Sequence, residues 1–261
     1  MEYAFISGAT GGIGKAFTRS FAKRGYNLFL TGRSQEKLSE LKAEIEKEFN
    51  VSVLTFACDL TSDSSRKDMI EFIKSNGVKF SRINLVAGVD IQKPFLDYTL
   101  EKVHFQLRVN VESTISLTHE LLNLRSEKCK IIVISSMSGA SPMPYFALYS
   151  ASKSMLTNFF TALNYELKKT GVNITVVMPG GVYTRPDIIE DIKGQGLWGK
   201  LSAMRPEVVS EKSIKKSNKN KAKYIPGFFN KFLYFAIKIL PKKIVLNFIA
   251  RRWKKIEKDA F

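Results

Sequence analysis

Little in this 261-residue chain offers metal or disulfide chemistry. The two cysteines, Cys58 and Cys129, are far apart and lack metal-ligand spacing. That argues against a disulfide framework and for a reducing compartment. The two histidines, His104 and His119, fall on a predicted helix, where a structural role is expected; no metal site is evident. No run of ~18 uninterrupted apolar residues exists, so no transmembrane helix is expected. The chain enters an apolar run by Tyr3 with no basic stretch before it, so no signal peptide is expected either. Internal repeats and low-complexity linkers are also missing. Acid is scarce at one end: residues 212–261 hold fifteen Lys/Arg and two Asp/Glu, most of the formal net charge of +17. The body is therefore nearly balanced and the tail is basic.

What is present is an alternation of short apolar runs and longer helical patterns. Residues 3–7, 27–31, 51–56, 82–87, 130–135 and 172–178 are apolar without alternating polarity, as strands buried on both faces are. A seventh strand is expected at 221–225. Helices are expected at 15–24, 34–49, 62–75, 99–124 and 147–170, the second with Ser34 as N-cap and Leu38, Leu41, Ile45 and Phe49 on one face. Such alternation implies right-handed crossovers and an α/β fold with a parallel, doubly wound sheet of about seven strands. Residues 1–225 read as one domain, followed by a helical extension over 226–261.

Gly8, Gly12 and Gly14 in FISGATGGIGKAF lie between the first strand and the first helix. Glycines there permit a tight turn and close approach of backbone to a pyrophosphate, and the helix N-terminus adds free N–H groups. Thr10 and Ile13 are expected to touch the same ligand. The second strand ends in Gly32-Arg33, with no carboxylate to accept from a ribose 2′-hydroxyl. Arg33 would instead suit a 2′-phosphate, so NADP is preferred over NAD, unless Arg33 is simply a surface residue. Asp59, with Leu60 beside it, could accept from an adenine amino group.

Further motifs complete a pattern: Asn110 in RVNVES, Ser136, and Tyr149-x-x-x-Lys153 thirteen residues after that serine. With the glycine loop, the chain resembles the classical short-chain dehydrogenase/reductases up to about residue 190. The resemblance implies a Rossmann-type fold and hydride transfer between a nicotinamide cofactor and a carbonyl or alcohol carbon. Tyr149 would exchange the proton, Ser136 would hold the substrate oxygen, and Asn110 would hold a water linking Lys153 to solvent. Tyr149 and Lys153 share a helix face. A neighbouring ammonium and an oxidised nicotinamide would both lower the phenol pKa. Ala87 and Gly88 retain the cofactor-side turn, while Leu85 and Val86 stand where the family has asparagines, so an amide bracing the sheet is expected to be lost. Pro179, Gly180 and Val182 form the turn after the sixth strand, with Thr184 placed to contact the nicotinamide amide.

Ser138 and Met143 join Ser136 and Tyr149 as expected substrate contacts, and residues 185–204 read as a mobile lid or a structural loop. In the extension, Phe228–Leu240 and 242–256 are apolar on most or one face and studded with lysines. Their own domain, a second subunit or an anionic membrane surface could cover them; nucleic acid is the least favoured partner. The expected function is an NADP(H)-dependent ketone–alcohol oxidoreductase on a hydrophobic molecule. A hydroxysteroid is preferred, with a 3-oxoacyl thioester reductase as alternative and a non-enzymatic scaffold as the reading from another class. A cytoplasmic homo-oligomer is expected, with peripheral membrane contact as an alternative.

Overall fold

The computed structural model describes residues 2–194, 196–254 and 258–259. The chain runs β1 (Glu2–Ser7), α1 (Gly12–Ala22), β2 (Asn27–Gly32), α2 (Gln35–Glu48), β3 (Val53–Ala57), α3 (Asp63–Ser75) and β4 (Lys79–Leu85). A short β5 (Ile91–Gln92) precedes α4 (Leu100–Leu107), α5 (Ser113–Leu122), β6 (Arg125–Ile134), α6 (Ala147–Glu166) and β7 (Val172–Val177). Then follow α7 (Pro186–Gly194), α8 (Gly196–Ser202), α9 (Pro206–Asn218), β8 (Lys223–Tyr224), α10 (Phe228–Ile239), α11 (Lys242–Trp253) and β9 (Lys258–Asp259).

Seven strands form one parallel sheet in the order β3-β2-β1-β4-β6-β7-β8, as the continuous apolar runs predict. The strand order reverses between β1 and β4, and ligands in such sheets bind in the crevice opened there. One face packs Phe5, Phe29 and Phe80, fully buried with ring centroids 5.5–6.0 Å apart, against α3, α5 and α6. The other packs Ile6, Leu28 and Leu30 under α1 and α2. Full burial of each such side chain is worth roughly 1.5–3 kcal/mol.

Some expected boundaries move. The helix expected over 99–124 is interrupted by a π turn at Arg108–Glu112, where the hydroxyls of Ser113 and Thr114 bond back to the carbonyls of Val109 and Asn110. β6 begins at Arg125, five residues earlier than expected, and β8 is only two residues long. The expected lid is two short helices, α7 and α8, with Gln195 between them outside the described residues. The pattern over 242–256 forms α11 to Trp253; Lys255 and Ile256 lie outside the described residues, as do Glu257, Ala260 and Phe261. His104 and His119 sit exposed on α4 and α5, and the cysteines are buried and free. Among the described residues, no group of metal-ligating side chains gathers, and no helix is long and apolar enough to cross a membrane.

Candidate active site

A cavity of about 810 Å³ opens at the carboxyl ends of the strands. Its floor begins where β1 turns into α1. Gly8 takes φ +64°, and a Cβ on Gly14 would stand 2.0 Å from the Gly8 carbonyl oxygen, so the loop closes on bare backbone. A Cβ on Gly12 would meet Thr184 at 2.8 Å, which brings the segment after β7 against the glycine loop. The α1 N-terminus carries no capping side chain. Thr10, Ile13, Arg33, Asp59 and Leu60 line the same end. The Asp59 carboxylate already accepts from the Thr61 amide (2.9 Å) and hydroxyl (2.8 Å).

The expected loss of a bracing amide in β4 is corrected by the structure. Asn84, fully buried, donates from Nδ2 to the Phe5 carbonyl at 3.0 Å and ties β4 to β1. One hydroxyl does further work: Ser7 Oγ accepts from the amides of Val86 (3.1 Å) and Ala87 (3.3 Å). The turn is thus held by Ser7 of β1, and β4 by Asn84 just upstream of the altered pair. Gly88 then passes so close to α6 that a Cβ there would be 3.1 Å from Lys153 Nζ.

Ser136 follows β6 by two residues and caps a 3-10 turn at Met137–Ala140, its Oγ accepting from the Ser138 amide at 3.1 Å. The Tyr149 phenol faces the same cavity as Ser136, whose hydroxyl works to lower the phenol pKa. One turn further along α6, Lys153 Nζ lies 5.6 Å from the Tyr149 ring centroid and donates to the Ile134 carbonyl at 3.1 Å. Gly139 lets the turn pack on α6, since a Cβ there would stand 2.8 Å from the Lys153 backbone. Beneath, Ser135 Oγ donates to the Lys153 carbonyl at 2.8 Å.

Burial dominates the electrostatics of the protein by itself. Burial, with Asp90 nearby, pushes the Tyr149 phenol above its usual range, and the Ser136 hydroxyl only partly opposes this. Burial lowers Lys153 to about 8, against the opposing pull of Asp90. In the protein by itself the phenol is therefore held protonated rather than lowered.

All the expected site residues except Asn110 line the cavity. Asn110 is fully buried behind it: Nδ2 donates to the Val89 carbonyl and Oδ1 accepts from the Val89 amide, both at 2.8 Å. Its side chain braces the strip that follows Gly88. Beyond Tyr149 the walls become apolar. Met143 and Phe146 pack with Val245 and Ile249 of α11, and the Phe146 ring stacks on Tyr149 at 4.4 Å. Leu233 and Ile237 of α10 and Leu240 just after it continue this wall, so the extension lines the apolar end of the cavity. Sequence reasoning missed Asp90, which pairs with Arg185 at 3.7 Å, and Phe146, for which no pattern pointed to the site. It also missed Asn230, whose Nδ2 donates to the carbonyls of Ser202 and Pro226 at 2.9 Å. Its signal was present: an amide inside an otherwise apolar or basic run.

Comparison with known proteins agrees with this geometry. The family model described as short chain dehydrogenase matches residues 2–189. The very-long-chain 3-oxoacyl-CoA reductase of Mus musculus is 34% identical over 195 residues, 70% of this chain and 60% of that protein. Its counterpart in Kluyveromyces lactis is 32% identical over 185 residues, 67% of this chain and 54% of that protein. The matches span little more than half the length of these curated relatives. Among solved structures, a 7β-hydroxysteroid dehydrogenase superposes with TM-score 0.86 at 24% identity, covering 95% of this chain and 96% of that one. A short-chain dehydrogenase from Sphingobium yanoikuyae in complex with NADPH superposes with TM-score 0.78 at 20% identity, covering 100% and 98%. Glycine loop, sheet order and sequence relatives agree, and the chain belongs to the short-chain dehydrogenase family of oxidoreductases.

Proposed function

We propose that the chain is an NADP(H)-dependent reductase of a 3-oxoacyl thioester, forming a secondary alcohol. The observation that carries this reading is the Tyr149–Ser136 pair, set in one cavity between a glycine loop and apolar walls. The residues suit a dinucleotide: bare glycine backbone on the β1 side, Ala87 and Gly88 opposite, and an uncapped α1 N-terminus between. Arg33 would take a 2′-phosphate, and Pro179, Gly180, Val182 and Thr184 would border the nicotinamide. When bound, that cofactor supplies the hydride.

The remaining work falls to the chain's own side chains. Tyr149, held protonated, donates its proton to the substrate carbonyl oxygen. Ser136 Oγ donates to the same oxygen and stabilises charge developing there. Lys153, protonated at neutral pH, lies near enough to stabilise the phenolate left behind. Asn110 acts through the backbone, keeping Val89 and hence Gly88 beside Lys153. Ser138 and Met143 border the substrate. Such a constellation favours catalysis over a purely structural use of the fold.

The acyl thioester has more behind it than the hydroxysteroid favoured from sequence. Relatives 32–34% identical are named very-long-chain 3-oxoacyl-CoA reductases. The hydroxysteroid enzyme, at 24% identity, shares the fold. A decisive screen follows NADPH absorbance with 3-oxoacyl-CoA thioesters of rising chain length, ketosteroids and simple ketones. The reading expects long thioesters to give the highest kcat/KM; preferred turnover of ketosteroids would overturn it. Tyr149→Phe should cut turnover by about 10²–10⁴-fold with NADPH binding intact. Retained turnover in that variant would remove Tyr149 from the mechanism.

A further inference from the structure

α10 shows three faces. Leu233, Ala236 and Ile237, with Leu240 just after the helix, line the cavity, while Asn230, which also borders it, and Tyr234 are buried against the domain. Phe228, Phe232, Phe235 and Ile239 point outward, 88%, 61%, 62% and 81% exposed. These four lie at i, i+4, i+7 and i+11, so they form one stripe rather than scattered surface residues. About a quarter turn away, Lys231 and Lys238 make an exposed basic flank. Next to it lies a groove of about 330 Å³ lined by Lys216, Lys221, Lys223, Lys231, Tyr224 and Tyr234. Phe235 borders this groove too, so stripe and groove are continuous. Lys223 Nζ donates to the Tyr234 hydroxyl at 3.2 Å, and Lys238 Nζ sits 4.8 Å from the same ring centroid.

We propose that this face seats on an anionic phospholipid surface. The stripe enters the boundary between headgroups and acyl chains, and the lysine groove receives lipid phosphates. Charge selects this occupant. Residues 212–254 contain thirteen Lys/Arg and no Asp/Glu. A twofold contact between copies would press these cations together with no carboxylate from the segment to meet them. An anionic bilayer offers both complements, phosphate for the lysines and an apolar phase for Ile239 and the phenylalanines. Leu240, Ile244 and Phe248, about half exposed, line the cavity's rim on the same helices. Docking would therefore bring that rim to the bilayer, where a long acyl chain resides. This last consequence rests on the acyl-thioester reading; the docking itself does not.

The test is co-sedimentation of the full chain with vesicles of phosphatidylcholine alone or mixed with phosphatidylglycerol. Binding to the mixed vesicles, weakened by salt, is expected, with little binding to phosphatidylcholine alone. Phe232→Ser with Phe235→Ser should lower partitioning by about tenfold or more, and Lys221→Glu with Lys231→Glu by about tenfold. Circular dichroism and unchanged turnover of a small water-soluble ketone establish that both variants are folded. Failure to bind mixed vesicles, or variants that bind like the parent, would overturn the proposal. So would binding of an oligonucleotide or inorganic phosphate in place of vesicles. A dimer dissolved by the Phe variant, seen by light scattering without vesicle binding, would make the face a self-interface instead. If vesicles bind but acyl thioesters are not reduced, docking stands and the substrate reading fails.

Discussion

Replacing Asn110 with leucine separates two roles for this residue. The change keeps the number of side-chain heavy atoms and the branching at Cγ but strands the amide and carbonyl of Val89, each now paired to Asn110 at 2.8 Å in a buried setting. Leaving a buried polar group unsatisfied costs about 1–3 kcal/mol, so two give about 2–6 kcal/mol, and about 3 kcal/mol if the strip shifts partly toward solvent. For a chain of this size each kcal/mol lowers Tm by roughly 2–4 °C, so a fall of about 6–12 °C is expected. NADPH affinity should weaken as well, because Gly88 follows Val89 away from Lys153. The assay is thermal unfolding by circular dichroism beside NADPH binding by fluorescence. Ser152→Ala is the control: it removes only the longer 3.3 Å bond to Asn110 and one bond to the Tyr149 carbonyl, worth about 0.5–1.5 kcal/mol each. If Asn110→Leu loses turnover while Tm stays within about 2 °C of the parent, the bracing role is refuted and a proton-relay role is favoured.

Three further outcomes are expected. Because burial holds Lys153 at about 8, its cation is lost as pH rises through that value, and carbonyl reduction at saturating NADPH should then fall by about tenfold per pH unit; a rate flat to about pH 10 would exclude a role for the charged lysine. Arg33→Asp should weaken NADPH by about 10–100-fold and improve NADH, read from the two KM values; unchanged discrimination would place Arg33 outside the phosphate site. Ile249→Ala removes an anchor packed on Met143 and Phe146, costing about 2 kcal/mol, the low end for such truncations. It should raise KM for long substrates while sparing a small ketone, and equal effects on both would deny α11 a place in the substrate wall.

Much of the fold was legible because its signals are local. Strands such as Tyr3–Ser7 and Ile131–Ile134 are apolar on both faces, which only a covered parallel sheet satisfies. The glycine loop is written as residue types because Gly14 leaves no space for a Cβ, and Tyr149 and Lys153 are spaced by the pitch of one helix. The phenol pKa of the protein by itself is not legible in the order of residues, because burial by residues from several elements dominates it.

By itself, then, the amino-acid order determined the sheet, the crevice and the candidate side chains that line it, since periodicity, backbone freedom and i to i+4 spacing act over a few residues. Only the tertiary structure decided that Asn84 braces β4, that Asn110 serves Val89, and that α10 and α11 roof the cavity beside Phe146. The outward stripe of α10 was decided there too. These contacts join residues tens to more than a hundred positions apart, and an apolar helix carries no mark of which face will find a partner until the chain has closed around it.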